Sequence, residues 1–200
     1  MDPRQKKPQA DRNSTRQRIM RKALAEFSRA GFAGARVDRI AAKAGVSKGM
    51  IYYHFRTKDE LFAAVLESAW DGGHVLTAAP DHPVESILFW SEFYRKNREW
   101  SRLLGWEGLE WRKMTPTMEN ERLAFWRSAV EKMKKYPKGP EFLDLEQFLI
   151  SLIAIEIAPI LLPQICKMIT GKDPSSPTFC RERARFLRSF AQAFANAQRP

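Results

Sequence analysis

Three observations on this 200-residue chain predict an all-α fold. Apolar residues recur at three- and four-residue spacing through nearly every long segment. No stretch alternates polar and apolar residues as a half-buried strand would, and residues that start or stop helices stand at the ends of the periodic runs. With 44% hydrophobic and 12% aromatic residues there is material for a core, which excludes a mainly disordered chain. The length suits one large domain or two small ones.

The elements follow in order. Ser14 and Gln17 form an S-x-x-Q capping box, and Ile19, Ala23 and Phe27 recur every four residues behind it, so a first helix is predicted from Thr15 to Ala30, ended by Gly31. A second, from Val37 to Ala44, turns Val37, Ile40, Ala41 and Ala44 inward and stops at Gly45, which suits a left-handed cap. Ser47 caps a third helix that runs to Phe55. Thr57 and Glu60 open a fourth through a T-x-x-E box; Leu61, Phe62, Val65, Leu66 and Ala69 form its inner face, and Gly72 and Gly73 close it. Helical spacing then covers Pro83 to Asn97, Glu99 to Lys113 and Pro116 to Tyr136, with a loop at Pro137 to Pro140. Glu141 to Thr170 is apolar nearly all round, which predicts burial on both sides, and Pro159 and Pro163 should kink or divide it. Gly171 to Pro177 reads as a turn, with Ser176 and Pro177 as N-cap and first residue of a last helix.

Charge adds an organisation. The net charge is +11, and residues 1–58 hold 15 Lys+Arg against 4 Asp+Glu while the remainder is balanced at 19 each. A compact basic segment on a neutral protein is the footprint of a polyanion-binding module. Residues 1–13, with Pro3 and Pro8, read as a basic flexible arm, 14–58 as a helix-turn-helix domain and 59–200 as a second domain. The N-terminus has no apolar run behind its charges, and the block Leu149 to Leu162 contains Glu156 and Pro159 and is shorter than the roughly 20 residues that cross a bilayer. Neither an export signal nor a membrane span is expected. The only cysteines, Cys166 and Cys180, are too few for a disulfide framework, so a cytoplasmic location is expected.

The second and third helices, joined through Gly45, Val46 and Ser47, have the proportions of a helix-turn-helix. Ile51 and Phe55 face inward at i and i+4, leaving Lys48, Gly49, Met50, Tyr52 and Tyr53 toward solvent. Gly49 lets a duplex approach the backbone closely, while Lys and Tyr heads reach phosphates. The run IAAKAGVSKGMIYYHFRTKDEL, Ile40 to Leu61, resembles the helix-turn-helix signature of the TetR family of transcriptional regulators. It matches at Ile40, Ala41, Ala44, Gly45, Val46, Ser47, Gly49, Ile51, Tyr52, His54, Phe55, Lys58 and Leu61. The close match spans about Thr15 to Ala69.

The resemblance implies an N-terminal three-helix DNA-binding domain followed by a helical ligand-binding and dimerisation domain. It also implies a repressor released from its operator by an effector. Its implied partners are double-stranded DNA with a palindromic operator, a second copy of the chain in a homodimer, and a small apolar or aromatic effector, with no cofactor, metal or membrane. The expected DNA-binding residues are Arg36, Ser47, Lys48, Gly49, Met50, Tyr52, Tyr53, His54 and Lys58, with Tyr52 and Lys58 on phosphate. His54 has a second reading, packing at the end of its helix, and Tyr53 another, leaning on the fourth helix. Two positions depart from the family pattern: Ala35 and Arg36 stand where a capping Thr or Ser is common, and Arg39 where an acid is common. Arg36 replaces a phosphate contact but not a cap.

For the effector the expected residues are Trp90, Tyr94, Trp106, Glu107, Glu110, Trp111, Trp126 and Glu156, rings with a few acids. Glu156, between Ile155 and Ile157, is costly if buried alone, so it finds a partner, reaches solvent or meets a ligand donor, a cationic effector being one reading of the last. Competing readings are a helical small-molecule-binding enzyme, a ligand-independent DNA-binding protein, and a membrane-surface protein using the basic first helix. Against the enzyme, the three histidines, His54, His74 and His82, form no metal spacing beyond a weak group of Asp71, His74, Asp81 and His82, and no phosphate-binding Gly-rich loop or nucleophile elbow occurs.

Overall fold

The computed structural model describes residues 6–69, 72–110, 116–135 and 144–196. Among these the structure is helical, without a strand, and comprises α1 (Lys6–Gly34), α2 (Val37–Ala44), α3 (Lys48–Phe55), α4 (Lys58–Ala69), α5 (Gly72–Ala78), α6 (Pro83–Lys96), α7 (Arg98–Glu110), α8 (Pro116–Met133), α9 (Leu145–Leu161), α10 (Pro163–Thr170) and α11 (Pro177–Asn196). The chain forms two compact units. One comprises Met1–Trp70 and Arg102–Thr115, the other Asp71–Ser101 and Pro116–Pro200. This division differs from one at residue 58, because α4 packs on α1 and α3 rather than with the later helices, and most of α7 joins it there.

In the first unit α1 packs on α2 and α4, and Ile19, Ala23 and Phe27 are wholly buried on its inner face. The helix starts at Lys6 rather than at Thr15, so residues 6–13 are helical and Ser14 lies inside the helix instead of capping it. The reason is Pro8: in the first turn its missing N–H is not needed, and no glycine follows to stop the helix before Ser14. Gly31 does interrupt the regular helix, with φ 69° and ψ −179°, a conformation open essentially to glycine alone. A last turn, to Gly34, follows it. The remaining boundaries here match the sequence reading: Gly45 is left-handed at φ 64°, Ser47 Oγ accepts from Met50 N at 3.2 Å, and Thr57 Oγ1 accepts from Glu60 N at 3.0 Å.

In the second unit α6 packs against α11 and α9, and α8 against α5 and α9. Its centre is Ile87, Leu187 and Ala191, with Val84, Leu88, Leu152, Ile155 and Phe190 around them. Helix α5 lies where only a closing Gly pair was expected; Lys132 of α8 donates to the carbonyls of Leu76 and Ala79 at its end and pairs with Asp81 at 3.2 Å. The apolar stretch divides as expected: Pro159 is absorbed inside α9, and the chain breaks by 86° before Pro163. Within one chain, however, it is not buried on both sides, since Ile150, Leu161 and Leu162 are exposed. Ser176 caps α11 through Phe179 N at 3.2 Å. Among the described residues no single helix is long and apolar enough to cross a membrane. The loop expected at Pro137 to Pro140 lies outside the described residues.

Gly31 is doubly constrained. A Cβ there would lie 2.5 Å from Glu110 Oε1 and 2.8 Å from the Trp106 ring. Gly31→Ala is therefore expected to lower unfolding stability by at least about 2 kcal/mol, combining a glycine-only conformation with a clash against a rigid ring, as read from urea denaturation.

Candidate functional site

The outer surface of α3 is the most distinctive feature of the basic unit. Ile51 and Phe55 are 1% and 3% exposed, whereas Met50, Tyr52 and Tyr53 are 41%, 40% and 60% exposed. Ser47, Lys48 and Gly49 are exposed beside them, so six of the expected residues share one accessible helix face and its N-terminus. Lys48 Nζ pairs with Asp38 Oδ1 of α2 at 2.9 Å, and both side chains are exposed. That hydrogen bond and charge raise the lysine's pKa, keeping it cationic. Lys58 Nζ stands 4.5 Å from the centre of the Phe32 ring, which holds the ammonium at the start of α4. His54 is half-buried, its ring against Tyr53 at 5.3 Å and Phe55 at 6.1 Å, so packing accounts for part of its surface. Arg36 is exposed in extended conformation at the N-cap of α2 and gives no side-chain cap, as its chemistry requires.

Two features of the basic unit have no obvious mark in the sequence. Arg56, after α3, has φ 49° and ψ −50°, and Thr57 N donates to Phe55 O across it: a strained three-residue turn without a glycine. It lets α4 begin within two residues of α3. The other is Glu26 of α1, fully buried. Its carboxylate accepts from Arg29 at 2.9 Å, Arg39 at 2.8 Å and Lys43 at 3.2 Å. Burial works to raise its pKa, but the bonds to Arg29, Lys43 and Arg39 outweigh it and hold the carboxyl below the ordinary glutamate range. The available signal was a Glu beside Phe27 on an apolar face with two cations four residues apart on the next helix. Arg39 is thus an anchor between α1 and α2. Arg18 acts similarly, its Nε donating to Ala44 O at 2.8 Å at the C-terminus of α2.

The expected effector residues divide between the units. Trp90, Tyr94, Trp126 and Glu156 do converge, lining a cavity of about 90 Å³ with Phe125, Phe148 and Leu152. Trp106 and Glu110 belong instead to the first unit. The indole Nε1 donates to Ser28 O at 3.1 Å, and Glu110 accepts from Phe32 N at 2.9 Å and Ala33 N at 3.2 Å, capping the turn after Gly31. Glu107, on the same segment of α7, does not line the cavity, and Trp111 lies outside the described residues. Burial, and then the Glu156 charge, push the Tyr94 phenol up from its ordinary value. Burial likewise pushes Glu156 well above the carboxylate range, against the opposing pull of Arg183. Lys132 also lines this cavity; its spacing from Ala129 and Phe125 on α8 was the available sign. Of the possible metal group, Asp71 and the His74 side chain lie outside the described residues; among the described residues no three His, Cys, Asp or Glu side chains gather as ligands.

Residues 19–65 match the family model described as bacterial regulatory proteins, tetR family. The chain is 33% identical over 170 residues to the HTH-type transcriptional repressor SCO4008 of Streptomyces coelicolor, covering 80% of this chain and 86% of that protein. Among solved structures it resembles the putative transcriptional regulator SCO4942 from Streptomyces coelicolor, with TM-score 0.68 and 25% identity over 90% of this chain and 97% of the other. The ketosteroid transcriptional regulator KstR2 of Mycobacterium tuberculosis shares the fold, with TM-score 0.66 at 15% identity over 89% of this chain and 93% of that one.

Removing the Glu26 charge tests the anchoring. Glu26→Gln leaves three cations around a neutral amide, and a loss of about 2–3 kcal/mol is expected because the cations still reach water. The depressed pKa also fixes a sign. The carboxylate's contribution is complete above its unfolded value of about 4.3 and disappears as pH falls through the lower folded value, so the native chain should lose stability below about pH 4.5 more steeply than the variant in pH-dependent melts.

Proposed function

The chain belongs to the TetR family of bacterial transcriptional regulators, and from that premise we propose a homodimeric repressor whose α3 helices enter the major groove of a palindromic operator, and which a small apolar or aromatic effector releases. It is a DNA-binding regulator and not an enzyme. The observation that carries the groove assignment is the α3 surface: two large apolar residues hold the helix from behind while Lys48, Gly49, Met50, Tyr52 and Tyr53 stand outward. A Gly at the second helical position admits the phosphate backbone, and the first-turn N–H groups add donors that favour anions. The exposed pairing of Lys48 with Asp38 is weak in water, so a phosphate displaces it readily. Arg36 and Lys58 supply further phosphate contacts, with Ser47 beside them and His54 at the edge of the face. The relative SCO4008 carries the name of a repressor, which supports that sign of regulation.

A second copy follows from both partners of the contact. A single helix-turn-helix reads a short half-site, and a palindrome is read by two such modules about one helical turn apart. The apolar surface to join them is at hand: Leu161, Leu162, Ile165, Met168 and Ile169 at the end of α9 and along α10, and Phe186 on α11, are all exposed in one chain. That density of exposed apolar side chains on adjacent elements is characteristic of a protein interface.

The effector reading rests on the cavity of Trp90, Tyr94, Trp126 and Glu156. Its volume of about 90 Å³ holds only a few water volumes, below the ordinary range of ligand sites, so a larger effector enters by moving wall residues such as those of α5 and α8. A ligand that prefers the opened wall shifts the population toward it, by its differential affinity for the two forms.

Tyr52→Ala and Lys58→Ala are each expected to weaken operator affinity about tenfold while leaving thermal unfolding nearly unchanged, and Lys58→Ala should reduce the slope of log affinity against log salt by about one. Fluorescence anisotropy with a labelled palindromic duplex measures both; unchanged affinity in the two variants would contradict the groove assignment. Ile169→Glu should convert the dimer to monomer in sedimentation velocity and lower operator affinity with it.

A further inference from the structure

A second cavity, of about 360 Å³, lies within the same unit between α6, the first residue of α7, the end of α9, the 174–175 turn and α11. Arg95, Arg98, Arg183 and Arg188 line it, against the carboxyl groups of Glu92 and Glu156. Glu92 is already engaged, accepting from Arg95 Nε and Nη2 at 2.6 Å each. Among the described residues Arg98, Arg183 and Arg188 have no carboxylate within ion-pair distance.

Arg183 is the innermost of these. Its Nη2 donates to Ile155 O, while its Nε is buried without an acceptor among the described residues. A buried donor with no acceptor is costly, and a bound acceptor removes the cost. Opposite it, Glu156 is 6% exposed and makes no hydrogen bond among the described residues. Burial raises its pKa, against the opposing pull of Arg183, which lessens the negative charge it sets against a bound anion. The groups facing Glu156 are Tyr94 from α6 and Arg183 from α11, with Lys132 from α8 on the wall of the neighbouring cavity. A cationic ligand at Glu156 would therefore meet a guanidinium beside it, which argues against the cationic effector considered from the sequence.

We propose that this arginine-lined cavity binds a small oxyanion, a carboxylate or phosphate group, held by Arg183, with Arg98 and Arg188 beside it. Planar guanidinium forks suit the geometry of both oxyanions. Glu156 borders both cavities, but Arg98, Arg183 and Arg188 line this one and not the aromatic one, so the arginine variants test it separately from the effector reading.

Isothermal titration calorimetry on the intact protein tests this, at ionic strength held constant with chloride. Inorganic phosphate and hexanoate serve as separate anionic probes, with tetramethylammonium as the cationic one. Saturable binding of either anion is expected, and which of them binds identifies the source of the oxyanion. Arg183→Met should weaken it at least about tenfold, and Arg188→Gln, at an exposed residue, about threefold. The second variant keeps the test valid if the first fails to fold, and both separate this site from phosphate held by the basic α3 surface. No saturable anion binding, binding of tetramethylammonium alone, or unchanged anion affinity in Arg188→Gln and folded Arg183→Met would overturn the proposal.

Discussion

The buried carboxylate of Glu26 is the constraint on which the basic unit depends. Helix α2 brings Arg39 and Lys43, on successive turns, against an α1 that already carries Arg29, and three cations at one helix contact repel each other unless an anion lies among them. Glu26 supplies that anion at full burial, so the same charges that would separate α1 and α2 hold them together. With α2 fixed, the left-handed Gly45 and the Ser47 cap set where α3 emerges. The outward face of α3 is thus a consequence of an interaction on the far side of α2.

The excess of positive charge therefore has two uses. Arg18, Arg29, Arg39 and Lys43 are anchors, each spent on a carbonyl or on Glu26, and Arg16 lies 5.0 Å over the Phe55 ring behind α3. Arg36, Lys48 and Lys58 surround the α3 surface, Lys48 in an exposed pair with Asp38 that a phosphate can replace and Lys58 over the Phe32 ring. The strained turn at Arg56 brings Lys58 close to α3 by omitting any longer linker. A net charge of +11 describes neither group by itself.

Glu26 and Glu156 show what decides the state of a buried acid. Both are nearly inaccessible, yet one is shifted down and the other up. Glu26 has three cationic donors within 3.2 Å, and their bonds exceed the burial cost. Glu156 feels Arg183 only through space, without a hydrogen bond, and burial prevails. The second unit thereby has an acid of raised pKa at the boundary of two cavities, one aromatic and one lined with arginine.

Local chemistry was sufficient to determine the helical class, the limits of α2 and α3, the caps at Ser47, Thr57 and Ser176, and the break at Pro163. Each of those depends on a few adjacent residues, so the chain states them directly. The Ser14 box misled because a capping pattern does not forbid a helix from beginning earlier, and Pro8 permits it. Which outward residues share the α3 face was equally legible, since helical periodicity alone sorts Lys48, Met50, Tyr52 and Tyr53 from Ile51 and Phe55. Tertiary structure decided the rest. Trp106 and Glu110 have the composition of a ligand site but hold the end of α1 on either side of Gly31, 78 residues away for two of the bonds. Lys132, Arg183 and Glu26 acquire their roles only from residues brought to them by packing. A side chain's partners across the fold are not encoded in its neighbours along the chain, and burial sets the energy of a charge only once those partners are in place.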